Sequence, residues 1–215
     1  SLWNDEGTSV ALAQRDLLTI TRNAADDIHP PLYYYLLHLW VEIAGISEFA
    51  LRFLSVAAGV ALVSATYALA KRLCVQRVAV FAALFAALSP FEVYYSQETR
   101  MYALTALLSL LSVLSFERFL SLLSQRAGGK VLLLSAGACF LAGTLAVYGH
   151  YFAFAVLLAE NVGFLIWLGS RRRRHHPRRP VVLRAVVFWA ATQASILVCY
   201  APWLLLSWRS LQSWP

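Results

Sequence analysis

"EFALRFLSVAAGVALVSATYALAKRL", residues 48–73, decides the fold class. From Phe53 to Ala70 it carries no charge, and those 18 residues hold only Ser55, Ser64, Thr66 and Tyr67 as polar groups. At about 1.5 Å per residue such a helix rises about 27 Å, close to the roughly 30 Å hydrocarbon core of a bilayer. A helix at a water surface would need a polar stripe, and this segment has none. It reads as a membrane span, ended by Lys71 and Arg72.

The rest of the chain agrees with that reading. Of its 215 residues 60% are hydrophobic and only 13% charged, with a mean hydropathy of +0.63, which excludes an ordinary soluble domain. Further apolar runs follow at Val78 to Phe91, Gln97 to Leu123, Val131 to Val147, Tyr151 to Leu168 and Val181 to Ser207. The expectation is an all-α, polytopic transmembrane helical bundle of about six spans over residues 47–215. The second run is short, so its end and the loop after it are expected below the membrane surface. Residues 1–46 are expected to form an extracytoplasmic loop with interfacial helices. No internal repeat is visible. The acidic start and the stop just after a span read as part of a longer chain, with a span before it and more sequence after it.

The basic residues set the orientation. With the N-terminus extracytoplasmic, 13 of the 18 lysines and arginines fall on cytoplasmic turns, as the positive-inside rule requires. These include the run "RRRRHHPRRP" from Arg171, which reads as a topological anchor near anionic lipid rather than a nucleic-acid or metal site. The net charge of +7 therefore implies no nucleic-acid partner. Cys74, Cys139 and Cys199 are too scattered for a disulfide framework or a metal cluster.

The acids sort to the opposite side. Asp5, Glu6, Asp16, Asp26, Asp27, Glu42, Glu48, Glu92 and Glu98 all fall outside in this orientation. Acids contribute little to topology, so their segregation needs another cause. In the N-terminal region, Thr8 to Leu18 can form a short helix with Val10, Ala13 and Leu17 on one face, capped by Asp5 or Thr8. Pro30 and Pro31 suit the first turn of a second helix running to about Ala44, where a missing amide costs nothing. Its tyrosines and Trp40 suit an element in the membrane interface, as a lid or platform over the bundle.

Four ordered stretches carry a family resemblance: "SLWNDEG" at the start, "DIHPPLYYYLLHLW" from Asp27, "SEFALRFLSVAAGV" from Ser47 and "SPFEVYYSQETRMYAL" from Ser89. Together they resemble the bacterial family 39 glycosyltransferases of the GT-C superfamily, relatives of the protein O-mannosyltransferases and the lipid A aminoarabinose transferases. The similarity covers the chain well to about Leu123 and loosely beyond. It implies a multi-pass inner-membrane enzyme of the cell envelope that takes a hexose or pentose from a polyprenyl-phosphate carrier. The sugar would pass, with inversion, to a lipid, glycan or protein acceptor on the extracytoplasmic face.

In that family an acid in the first extracytoplasmic loop is the catalytic base, and it matches the pair Asp5 and Glu6, with Asp5 first. A carboxylate suits the task because an acceptor hydroxyl must lose its proton as it attacks the anomeric carbon. The leaving group is a lipid phosphate, so cations must face its growing charge, and Arg100 and His29 are the candidates. Relatives have a basic residue before a Pro-Pro pair near the carrier phosphate, and here His29 holds that place, equally readable as a capping or packing residue. Arg100 faces either the phosphate or an ion-pair partner, Glu98 or Glu92. The substrate- and carrier-binding set is completed by Tyr33, Tyr34, Arg52, Tyr95, Gln97, Glu98 and Tyr102, the tyrosines offering ring faces and hydroxyls to a sugar or an isoprenoid. Arg52 is equally readable as a snorkelling residue. No cofactor is certain. A divalent metal is left open, with His29 and His150 needing carboxylates brought to them by folding. Glu160 and Asn161, inside the fifth run, read as contacts between helices. The competing classes are a transporter of a lipid-linked or anionic substrate, which would show related halves and broken spans at mid-depth, and a noncatalytic membrane assembly subunit.

Overall fold

The computed structural model describes residues 4–27, 29–174 and 179–212, and every regular element among them is a helix. The start of "SLWNDEG", Ile28 and residues 175–178 of the arginine-rich run lie outside the described residues. The helices are α1 (Asn4–Ala13), α2 (Leu17–Asp26), α3 (Leu32–Ala44), α4 (Glu48–Leu73), α5 (Gln76–Leu88), α6 (Pro90–Ser96), α7 (Tyr102–Ser124), α8 (Gly129–Gly149), α9 (Ala153–Arg174) and α10 (Arg179–Gln212). Five segments are long and apolar enough to cross a membrane: α4, α7, α8, Ala153–Arg171 of α9 and Val182–Trp208 of α10. The protein is a multi-pass helical membrane bundle.

The opening stretch forms α4 with the bounds read from the sequence. Ser47 caps it by accepting from the Ala50 amide at 3.2 Å, with Glu48 in the first turn and Lys71 and Arg72 in the last, each charge opposing the nearer pole of the helix dipole. The short second run is a broken helix, α5 and α6, bent by 56°. The break falls at Ser89, whose φ of −63° and ψ of 118° are extended because Pro90 follows it. Ser89 then caps α6 through the Glu92 amide, and Pro90 takes the first position, where it lacks no partner.

Several element boundaries differ from the sequence reading: α1 begins at Asn4, so Asp5 and Thr8 lie inside it rather than capping it, and α3 begins at Leu32 with Pro31 at its N-cap and Pro30 before it. The helix expected over Thr8 to Leu18 stops at Ala13, and a second one, α2, begins at Leu17. Asp16 makes the difference, since its side chain accepts from the amides of Leu18 and Thr19 at 3.1 and 3.0 Å and starts a new helix. Val10 and Ala13 are buried as expected, but Leu17 is 53% exposed. The third expected span begins at Tyr102 rather than Gln97, so residues 97–101 are a loop. Its backbone bonds to side chains of other helices instead of continuing the helix.

Two clusters hold the bundle. At the end that carries α1 to α3, Ile20, Tyr33, Leu37, Leu51, Met101 and Val147 are at most 1% exposed. At the other end Trp189 packs on Phe116, Phe119 and Phe164 at centroid distances of 4.9, 5.8 and 5.4 Å. Small residues bring the helices together near the first end. A Cβ on Gly59 would lie 2.7 Å from that of Ser96, and one on Gly149 would lie 2.9 Å from Thr105 Oγ1. The first approach seats α6 on α4, and the second seats the end of α8 on α7. Both therefore fix the walls of the cavities described next.

Candidate active site

The loop at 97–101 is held from two sides. Glu6, on α1 and 1% exposed, accepts the Thr99 amide at 2.9 Å and receives a two-pronged contact from Arg52 on α4, at 3.1 Å from Nε and 2.9 Å from Nη2. Ser55, three residues after Arg52 and so on the same face of α4, donates to the Arg100 carbonyl at 3.2 Å. Behind it, the hydroxyls of Tyr33 and Ser55 are 3.2 Å apart. Thr99 is fully buried. Because Asp5 precedes Glu6 and Arg100 follows Thr99, this lattice of bonds sets Asp5 and Arg100 around one space.

That space is a cavity of about 340 Å³ lined by Asp5, Glu6, Tyr94, Tyr95, Glu98, Arg100 and Tyr102. Asp5 is exposed to it, in contrast with its buried neighbour. Arg100 places its guanidinium carbon 5.8 Å from the Tyr102 ring centre, a cation-π arrangement. Its buried Nε has no hydrogen-bond partner among the described residues, and neither Glu92 nor Glu98 forms an ion pair with it there. The rings of Tyr94, Tyr95 and Tyr102 form an edge-to-face chain with centroid separations of 5.2 and 4.9 Å, giving the cavity an aromatic wall.

The remaining residues singled out from the sequence lie around this cavity. Arg52 and Gln97 line a neighbouring one of about 430 Å³ with Glu48, Phe49, Phe53 and Val56. Tyr33 and Tyr34, both on α3, are 0% and 4% exposed, and Tyr33 backs the loop through Ser55. His29 is tied to Asp27, its Nδ1 lying 2.8 Å from the Asp27 carbonyl and 2.9 Å from Oδ2. Both of those atoms only accept, so Nδ1 carries the proton. Folding brings the His29 ring to 5.8 Å from that of His150, yet no group of three His, Cys, Asp or Glu side chains among the described residues could hold a metal ion. Glu160 is 3% exposed, and its neighbour Asn161 bridges α9 to α10 through Gln193 at 3.0 Å and Trp189 at 2.9 Å.

Thr99 and Ser55 escaped the sequence reading as site residues, and Asp27 was read only as an outside acid rather than as the partner of His29. Thr99 acts through its amide, which no side-chain pattern reports. Ser55 had a faint signal as a hydroxyl one turn from Arg52.

A bundle of membrane-spanning helices carries an acid, an arginine and aromatic rings around one cavity at its end, and the family whose pattern it matches makes it a GT-C type membrane glycosyltransferase. The chain belongs to the dolichyl-phosphate-mannose-protein mannosyltransferase family, whose pattern matches residues 28–207. The match begins after α2, so it does not reach Asp5 or Glu6. No curated protein and no solved structure matches the chain.

Proposed function

We propose that the chain transfers a sugar from a polyprenyl-phosphate carrier to an acceptor hydroxyl, with inversion, at the extracytoplasmic end of the bundle. The observation that carries this reading is the single cavity that joins an exposed carboxylate, Asp5, to Arg100, whose buried Nε lacks an acceptor. An inverting transfer needs those two groups around one carbon. The base takes the acceptor proton while the oxygen attacks, and the cation faces the phosphate as it leaves. Asp5 is the base, because Glu6 is committed to Arg52 and Thr99. Arg100 is the phosphate ligand. His29, held by Asp27, adds positive charge when protonated, and Tyr95 and Tyr102 take the sugar or the first isoprene unit. Glu98 lines the cavity, Arg52 and Gln97 shape the neighbouring one, and Tyr33 holds the loop through Ser55 with Tyr34 buried next to it on α3. The fall of most lysines and arginines on the turns at the opposite end supports the extracytoplasmic placement.

The test is release of labelled sugar from a polyprenyl-phosphate sugar by the purified full chain in lipid. Transfer that requires Asp5 supports the reading. Carrier left intact by a folded wild-type protein, or sugar moved by Asp5→Asn at wild-type rate, overturns it.

A further inference from the structure

His150 stands at the break between α8 and α9 and is only 5% exposed, although it belongs to a loop. Its ring sits among those of Tyr151 and Phe152, at centroid distances of 4.4 and 4.8 Å. The Phe152 amide donates to its Nδ1 at 3.2 Å. A backbone amide can only donate, so Nδ1 must be the unprotonated nitrogen and the proton of the neutral ring sits on Nε2. No described residue accepts from that Nε2. The fold thus fixes a tautomer in which one nitrogen serves the turn and the other is a donor.

The place of that donor gives it a use. His150 lines an apolar cavity of about 420 Å³ together with Phe91, Glu92, Tyr95, Tyr102 and Phe152. This cavity shares Tyr95 and Tyr102 with the Asp5 and Arg100 cavity, so the two meet at those rings. Tyr102 has Arg100 at 5.8 Å and the His150 ring at 6.3 Å. An apolar slot joined to a polar pocket, where Arg100 and the Tyr95 and Tyr102 hydroxyls stand apart from the carboxylates of Asp5, Glu6 and Glu98 as donors, suits an amphiphile whose anionic head meets Arg100. An oxyanion at their junction would be reached by Arg100 from one cavity and by the imidazole N–H from the other.

We propose that His150 is a ligand of the carrier phosphate, binding it through a neutral Nε2–H donor whose tautomer is fixed by the Phe152 amide. The proposal rests on the carrier reading above. Burial, reinforced by the nearby His29 and Arg100, pushes the His150 pKa down to about 4, which keeps the ring neutral under ordinary conditions. His150 therefore adds direction without a second full charge beside Arg100, and its hydrogen bond lies in a poorly solvated place where such bonds are strong.

Asparagine and glutamine separate the two nitrogens. His150→Asn places an acceptor where Nδ1 was and retains the turn, whereas His150→Gln places a donor near Nε2 and retains the cavity contact. The experiment measures binding of a polyprenyl monophosphate, with the matching polyprenol as control, to the full chain in nanodiscs, and thermal unfolding of each variant. His150→Phe is expected to weaken phosphate binding about tenfold or more and polyprenol binding little, since a hydrogen bond to a charged group is lost. His150→Gln should recover most of the affinity while unfolding at lower temperature, and His150→Asn should do the reverse. Rescue by Asn but not Gln, or equal loss for phosphate and polyprenol, overturns the proposal by reducing His150 to a turn residue. A wild-type chain that binds neither lipid overturns the carrier reading, and this inference with it, whereas normal wild-type binding unchanged in His150→Phe overturns this inference alone.

Discussion

Replacing Glu6 tests how the site is built. In Glu6→Ala the fully buried Thr99 loses the acceptor of its amide, which costs about 1–3 kcal/mol. Arg52 also loses its two-pronged partner. Breaking a fully buried pair costs about 3–5 kcal/mol, but the Arg52 side chain is 30% exposed and water can replace part of the contact, so about 1–2 kcal/mol is the fitting figure. The sum is about 2–5 kcal/mol. Glu6→Gln retains an oxygen for Thr99 and a weaker contact for Arg52, so its cost should fall to about 1–2 kcal/mol. In transfer assays Glu6→Ala should lose both carrier affinity and turnover, because the loop carrying Arg100 is released. Glu6→Gln should retain most of each, and thermal unfolding in detergent should rank the variants in the same order. The reasoning is refuted if Glu6→Gln unfolds like wild type yet loses as much turnover as Asp5→Asn. That outcome would make Glu6 a reacting group.

The other expectations concern charge and topology. Asp5→Asn should lower turnover by about 10²- to 10⁴-fold with carrier binding and folding intact, as measured by single-turnover transfer, because a base acts only in the transition state. Arg100→Ala should weaken carrier binding, and Arg100→Lys should recover part of it, since a point charge replaces a fork; normal carrier affinity in Glu98→Gln with Arg100→Gln would refute the phosphate role. In intact cells a cysteine at the exposed Gln97 should react with an impermeant thiol reagent while the exposed Cys74 stays protected, and the reverse labelling would invert the proposed orientation. Because the folded pKa of His150 lies at about 4, below its ordinary 6.5, the unfolded chain binds the extra proton between those values. Stability should then fall as pH drops from 6.5 toward 4, by at most about 3 kcal/mol from this group, and His150→Asn should flatten that part of the unfolding-temperature profile.

The family match over residues 28–207 agrees with the resemblance drawn from "DIHPPLYYYLLHLW", "SEFALRFLSVAAGV" and "SPFEVYYSQETRMYAL". The helical bundle was legible because hydrocarbon imposes a local demand. Every backbone amide must be satisfied within its own helix, and every lipid-facing side chain must be apolar. A run such as residues 53–70 therefore declares its structure without reference to any other part of the chain. The break at Ser89 was not read, since the second run was carried through it to Phe91, although proline acts locally on the residue before it.

What tertiary structure alone decided is which polar residues meet. Asp5 and Glu6 are adjacent acids with the same chemistry in the sequence. Packing of α1 against the loop turns one into a buried strut and leaves the other facing a cavity. The deciding bond joins residues 93 apart and uses a backbone amide, so neither spacing nor residue type announces it. The same holds for the Arg100 carbonyl, taken by Ser55 across 45 residues, and for the tautomer of His150, set by the turn it closes. Sequence determined the bundle because solvation is local, whereas the site depends on directional bonds between distant segments, and those exist only once the helices have packed.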